Sequence, residues 1–396
     1  MARRINYKPY FFLAGFLVLI LSFSKREAEK MRILAISCIA PSWKTIDLLK
    51  CSLLSFLTLP PLKGAGAAVK EEIEKLSLEN LAMKSQIENL RSYLLFEDRL
   101  EDQWQRYKEL SKREDSELFW KDFFSRRSEN LCENLRLQYQ ALPAKVIFRE
   151  PVSWSGSVWL NVGEKENQSL GRTIVAKNSP VVSGNCIIGL IEEVSEHKCR
   201  LRLITDPDLV CSVRALRGGA QDRLLMQQID ALVSHLNLRE DLWKEHSSQK
   251  EMMMQQLITL KSHLNPEAKE EYMAKGELCG TGGALWRSHS GVLKGVGFNY
   301  DFADEEGPAR DLRTGHPIDS LLTTLPAYLL KIGDLLVTTG MDGIFPRDFK
   351  VAVVTKILPL REGGCSYEIE AQSIVENIQE IKEVFILPPI AIESNL

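Results

Sequence analysis

The chain has 396 residues, a formal net charge of −3 and 26% charged residues, which is long enough for two or more domains with cores of their own. So even a balance gives no hint of a nucleic-acid partner. Its eight cysteines (Cys38, Cys51, Cys132, Cys186, Cys199, Cys211, Cys279, Cys365) contain no C-x-x-C. That excludes the zinc-ribbon and thioredoxin patterns, and the number is too low for a disulfide scaffold, although an occasional pair is compatible with an oxidising compartment.

In chain order, the first element is Pro9 to Ser24, an uncharged apolar run between Arg3, Arg4 and Lys8 on one side and Lys25 and Arg26 on the other. As a helix it would span roughly 24 Å, short of a ~30 Å hydrocarbon core, with Tyr7, Tyr10 and the flanking bases reaching the interface. Ser24-Lys25-Arg26-Glu27 offers no small-x-small cleavage site, so an uncut anchor is expected, not a signal peptide. The bases on its two sides balance and do not set its orientation. Residues 31–66 read as a juxtamembrane segment, because Pro41, Lys44, Asp47 and Lys50 interrupt the apolar pattern and charges are costly inside lipid. A second span is the alternative.

Val69, Ile73, Leu76, Asn80, Met83, Ile87, Leu90 and Leu94 then recur at alternating four- and three-residue steps. A stripe that narrow predicts a coiled coil. Asn80, a single polar residue at an a position, favours a parallel dimer in fixed register, and Glu79 at g can reach Lys84 at e of the partner. The alternative is an amphipathic helix lying on its own domain. The helical pattern continues with lapses to Pro143.

From Ala144 the period changes to short runs cut by glycine: Lys145 to Phe148, Val158 to Val162, Arg172 to Ala176, Cys186 to Val194, Arg200 to Ile204 and Val210 to Ala215. A second set follows at Gly291 to Phe298, Asp334 to Thr338, Phe349 to Leu358 and Ser366 to Ser373, the last two joined by Glu362-Gly363-Gly364. Both sets predict barrel-like strands. Between them, residues 221–275 carry helical periodicity, with Asn265-Pro266-Glu267 as a cap with proline at the first helical position. The charged run Asp301 to Arg313 reads as a solvated loop. The expected fold class is therefore mixed: an N-terminal membrane helix, a parallel coiled coil, and two small mainly-β barrel-like domains with an inserted helical segment. The expected segments are a cytoplasmic tip and transmembrane anchor at 1–30, the juxtamembrane segment at 31–66, coiled coil and stalk at 67–142, a first β domain at 143–220, inserted helices at 221–275 and a second β domain at 276–396.

Three blocks of the β region resemble the rod-shape-determining protein MreC family. The first is Val146-Ile147-Phe148-Arg149-Glu150-Pro151 with Trp154 and Leu160-Asn161-Val162-Gly163. The second is Ile188-Gly189-Leu190-Ile191-Glu192-Glu193-Val194 with Leu203-Ile204-Thr205-Asp206. The third runs from Ile332-Gly333-Asp334 through Gly340, Gly343 and Pro346 into Val351-Ala352-Val353-Val354. The resemblance marks Pro151, Trp154, Gly163, Gly189, Asp206, Gly333, Asp334, Gly340, Gly343 and Pro346 as structural motif positions. Apart from any family, Gly340 and Gly343 fit a tight turn with positive φ, and no G-x-x-x-x-G-K-[ST] phosphate loop is present. The sequence departs from the family at Thr339 and Asp342, where serine and glycine are commoner, and at the 221–275 insert.

Six dispersed histidines (His197, His235, His246, His263, His289, His316) form no H-E-x-x-H, and Ser288-His289-Ser290-Gly291 lacks the nucleophile elbow. No metal, cofactor or enzymatic activity is expected. The resemblance implies a non-catalytic membrane-anchored scaffold of the bacterial cell-elongation complex. The scaffold would sit in the inner membrane by a single span with its bulk periplasmic, maintaining shape by organising peptidoglycan synthases. Its implied partners are a second copy of itself, MreB, MreD, the class B penicillin-binding transpeptidase and RodA. The alternatives are a periplasmic adaptor of an efflux or secretion system and, from another class, a membrane-tethered hydrolase.

Overall fold

The computed structural model describes residues 132–149, 156–239, 247–266, 270–281, 291–304, 309–318, 328–375 and 378–390, with isolated positions at 76, 80, 83, 87, 125, 128–130 and 268. The expected anchor at Pro9 to Ser24, the juxtamembrane segment and most of the coiled-coil stretch lie outside them. Among the described residues no helix is long and apolar enough to cross a membrane.

A helix reaching residue 139 leads into twelve strands: β1 (Leu142–Arg149), β2 (Ser157–Leu160), β3 (Pro180–Ser183), β4 (Cys186–Val194), β5 (Cys199–Leu203), β6 (Val210–Arg217), β7 (Glu271–Gly280), β8 (Val292–Asn299), β9 (Leu335–Thr338), β10 (Lys350–Ile357), β11 (Tyr367–Ser373) and β12 (Glu383–Ile386). Helix α1 (Glu164–Leu170) follows β2, and α2 (Gly219–Leu238) and α3 (Ser247–His263) lie between β6 and β7.

The strand order closes on itself twice. β4-β3-β12-β1-β2-β5 returns to β4, and β11-β8-β7-β6-β9-β10 returns to β11, so the fold is two six-stranded barrels without free sheet edges. Their only shared rung among the described strands is the parallel pair Lys350 and Cys186. The barrels are not consecutive in the chain, as the expected segments are. Val210–Arg217, placed by sequence in the first β domain, pairs with β7 and β9 in the second barrel, while β12 near the C-terminus pairs with β1 and β3 and completes the first.

Period-2 alternation explains the cores. In β6, Cys211, Val213 and Ala215 are buried inside the second barrel, facing residues such as Met273, Phe298 and Ile369 of one core cluster that spans both barrels. Leu216 points the other way, and with Ala220, Leu335 and Val337 it forms a smaller cluster under the first turns of α2. The first barrel is filled by Leu160, Ile187, Ile191, Leu201 and Ile386, all at most 1% exposed. Gly189 sits where β4 runs closest to β5, and a Cβ there would overlap the Arg202 carbonyl.

Three local readings are corrected. Arg172 to Ala176 is not a strand, although Ile174 and Val175 are buried. The Asn167 side chain takes up their backbone groups instead, its Oδ1 accepting from the Ile174 and Val175 N–H groups at 2.9 Å each and its Nδ2 donating to the Val175 carbonyl at 2.8 Å. The helical stretch stops at His263, and from Glu271 the chain is strand β7. Asn265 and Pro266 therefore follow a helix end, where proline cannot continue the helix, and do not start a new one; a turn closes there from the Ala268 N–H to the Asn265 carbonyl at 3.0 Å.

Candidate functional site

The β9–β10 loop, residues 339–349, lies where both barrels and the helix ending at residue 139 meet. Buried Thr338 anchors its base, donating its hydroxyl to the Pro346 carbonyl and accepting the Phe349 N–H at 3.0 Å. Gly340 and Gly343 have φ of 76° and 66°, and the Gly343 N–H bonds the Gly340 carbonyl at 3.2 Å, a turn that L side chains adopt only with strain. A Cβ at Gly340 would also meet the Arg347 side chain, whose Nε donates to the Thr339 carbonyl at 2.9 Å.

Thr339 and Asp342, the two departures from the family pattern, act on the same neighbour. The Thr339 hydroxyl lies 2.9 Å from the Ser212 hydroxyl. Asp342 accepts the Ser212 N–H at 3.2 Å through one carboxylate oxygen, and the Ile344 and Phe345 N–H groups at 3.0 and 2.9 Å through the other. Together they clasp the loop to β6. The stalk reaches this clasp: Asn134 donates to the Arg347 carbonyl at 2.9 Å, and Gln138 to the Asn185 side-chain oxygen at 3.0 Å on the β3–β4 turn. Asn185 in turn accepts the Lys350 N–H at 2.9 Å. Both barrels are thus tied to the end of one helix.

The other motif positions are spread along the walls. Asp334, 1% exposed, takes a two-pronged bond from Arg217, Nε to Oδ1 at 2.9 Å and Nη2 to Oδ2 at 2.7 Å, and the Lys331 N–H at 2.7 Å. Gly333 accepts from Gln221 Nε2 at 2.6 Å, linking α2 to the base of β9. Gly163 caps α1, and the Asp206 carbonyl in the β5–β6 connection accepts the Gly280 N–H at the end of β7 at 3.2 Å. Pro346 belongs to the clasp, whereas Pro151 and Trp154 lie outside the described residues. Of the expected seam, Leu76, Asn80, Met83 and Ile87 are helical and exposed; Val69, Ile73, Leu90 and Leu94 lie outside the described residues.

A charged cluster was missed by the sequence reading. Asp304, taken as part of a solvated loop, accepts Arg214 Nη2 at 3.0 Å, Lys275 Nζ at 2.7 Å and the Tyr300 hydroxyl at 2.7 Å. The Arg214 guanidinium also lies over the Tyr272 ring at 4.8 Å. Burial pushes the Tyr300 phenol up, and its bond to Asp304 adds to the shift. The cluster fastens the stretch after β8 to the outer wall of the second barrel. Its sequence signal was the alternation of β6, which turns Arg214 outward between the inward Val213 and Ala215. Among the described residues no three His, Cys, Asp or Glu side chains converge to hold a metal.

Two closed six-stranded barrels, one inserted into the other along the chain and met at their junction by the helix that reaches residue 139, define a double-barrel β protein. The chain belongs to the family of rod shape-determining protein MreC, whose barrel-core model matches residues 146–260 and 310–388. None of the curated proteins compared matches it. Similar solved structures include an MreC at 15% identity, covering 67% of this chain and 98% of that one with a TM-score of 0.36. MreC from Pseudomonas aeruginosa is also 15% identical, covering 63% and 99% with a TM-score of 0.35. A complex between penicillin-binding protein and MreC from Helicobacter pylori gives 14%, 63% and 98% with a TM-score of 0.32. The efflux-adaptor alternative gains no support from the family match.

Proposed function

We propose that this protein is a non-catalytic scaffold of the bacterial cell-elongation machinery that maintains cell shape by holding peptidoglycan synthases in place. The family match across both barrels carries this reading. The chain would be anchored by one span near residues 9–24, with its barrels on the extracytoplasmic side, and would self-associate in parallel through residues 69–94. In this reading its partners would be a class B penicillin-binding transpeptidase, with MreB, MreD and RodA; family membership supports it. The bonds of Asn134 and Gln138 to both barrels suit such a role, because a scaffold transmits position only as well as its joints are rigid. Gly333, Asp334, Gly340, Gly343 and Pro346 would act here as wall and turn residues that support the second barrel.

The test is depletion and recovery. Loss of the protein should round the cells, and a tagged copy should restore their shape and co-purify a membrane protein that binds fluorescent penicillin. A copy carrying Leu76→Asp and Leu90→Asp should fail to restore shape, since unpaired carboxylates in a closed seam cost several kcal/mol each. Unchanged shape on depletion, with no penicillin-binding protein in the eluate, would sink the scaffold reading; recovery of shape by the double variant would sink the seam alone.

A further inference from the structure

The helices α2 and α3 form an antiparallel hairpin. The start of α2 meets the end of α3 through Arg223 Nη1 to the Pro266 carbonyl at 2.7 Å and the Asn265 N–H to Asp222 at 3.0 Å, and further along Lys261 pairs with Asp230 at 2.7 Å. Burial along each helix falls at alternating three- and four-residue steps, with Met226, Ile229, Val233 and Leu236 facing in from α2, and Met254, Leu257, Lys261 and Leu264 from α3. This is a two-helix coiled coil with those residues at a and d.

That register makes the two flanks of the hairpin differ. In an antiparallel pair the g positions of both helices share one flank and the e positions the other. The g positions are Leu225 and Leu232 on α2 and Met253 and Leu260 on α3, between 40% and 47% exposed. Positions c, which border them, are glutamines such as Gln228 and Gln256, with His235 and His263 at opposite ends. The e flank instead carries Arg223, Asp230 and Glu251, with Ile258 as a lone exposed apolar residue among them. One side of the hairpin is therefore an apolar stripe edged by uncharged amides, with no Asp, Glu, Lys or Arg.

We propose that this stripe pairs with the same stripe on a second copy of the chain, two hairpins packing side by side around a two-fold axis as a four-helix bundle. A two-fold interface must complement itself. A charge-free stripe does so without like-charge clashes, and glutamine amides both donate and accept across the axis. A lipid surface would call for Lys or Arg along the rim, and a partner of opposite charge for a charged code; neither is present. The face is roughly 26 Å long and 20 Å wide, at the small end for a specific interface. It therefore works as a second contact in a dimer brought together elsewhere, where effective concentration favours it, and in that respect it rests on the self-association proposed above.

The test uses the purified full chain in detergent, with a photo-crosslinking residue at Gln228 or Gln256, or at Ser262 on the other flank. The expected result is a cross-linked band at twice the chain mass from Gln228 and Gln256 and none from Ser262. Leu232→Lys with Met253→Lys should abolish the band while sedimentation still reports a dimer held by residues 69–94 and hydrogen exchange shows both barrels intact. No band from either stripe position, an equal band from Ser262, or a band that survives both lysines overturns the pairing. So does a product of another mass when the same cross-linking is done in cells. Loss of the dimer in the Leu76→Asp, Leu90→Asp chain, read by sedimentation, reports on the seam and not on the hairpin.

Discussion

The two barrels share a strand count and differ in how the chain builds them. The second is made from one continuous stretch, β6 through β11, with the α2–α3 hairpin set between its first two strands. The first is begun by β1 to β5 and left open until β12 returns from the far side of the second to lie between β1 and β3. Their fastenings differ as well. Both have an apolar interior and polar ties on the wall, Arg200 and Arg202 to Glu192 in the first and Arg214 and Lys275 to Asp304 in the second, but the second also seals a charge, Asp334 at 1% exposed held by Arg217. The outer barrel depends on a distant strand; the inserted one depends on its own contacts.

The largest expected effect tests that dependence directly. A chain ending before Lys382 should lose protection from hydrogen exchange throughout β1 to β5, because two strand edges open and the core is wetted, while β6 to β11 keep theirs. Equal loss in both barrels would mean that they fold as one unit despite their separate closure. Next, Arg217→Met leaves the Asp334 carboxylate buried without its cation, a change that typically costs about 3–5 kcal/mol. Denaturant melts should shift by that order, with the faster exchange confined to the second barrel.

Leu201→Ala is the matching change in the first barrel, and truncating a sealed core leucine costs about 2–5 kcal/mol; its exchange effect should be confined to β1–β5 and β12. Asp342→Ala, which removes the acceptor for three backbone N–H groups in the clasp, should cost about 1–3 kcal/mol and loosen residues 339–349 before anything else. The smallest effect is chemical. Burial pushes the Cys199 thiol up to about 12 and raises Cys211 as well, so site-resolved alkylation at pH 8 should leave both unmodified in the folded chain while exposed Cys132 and Cys365 react. Prompt labelling of Cys199 would show that the first barrel opens readily.

Much of the strand content was legible because alternation survives in short windows: Cys186–Val194 was read with its boundaries intact, and the hairpin at Glu362-Gly363-Gly364 does join β10 to β11. The strands not read had weaker local signals. β3 is only Pro180–Ser183, and the clue to it was the two-residue Gly184-Asn185 turn leading into β4. β7 begins in a polar stretch that continued the helical period of the insert. β12 looked like a tail, and nothing local in Glu383–Ile386 says that it pairs with Leu142–Lys145. The clasp was half legible: its glycines announced a turn, but the partners of Thr339 and Asp342 come from Ser212, far away in sequence, which no local pattern encodes.

The nesting also sets a schedule for synthesis. Lys145 emerges early and its partner Glu383 follows roughly 10–50 s later at ordinary elongation rates, so the inserted barrel can complete itself while the outer one waits with unpaired β1 and β3 edges. Those edges invite wrong partners while they are bare, including the same edges on a neighbouring nascent chain. A premature stop before Glu383 would then do more harm than the few strand residues it removes imply, because it would leave the waiting barrel open for good.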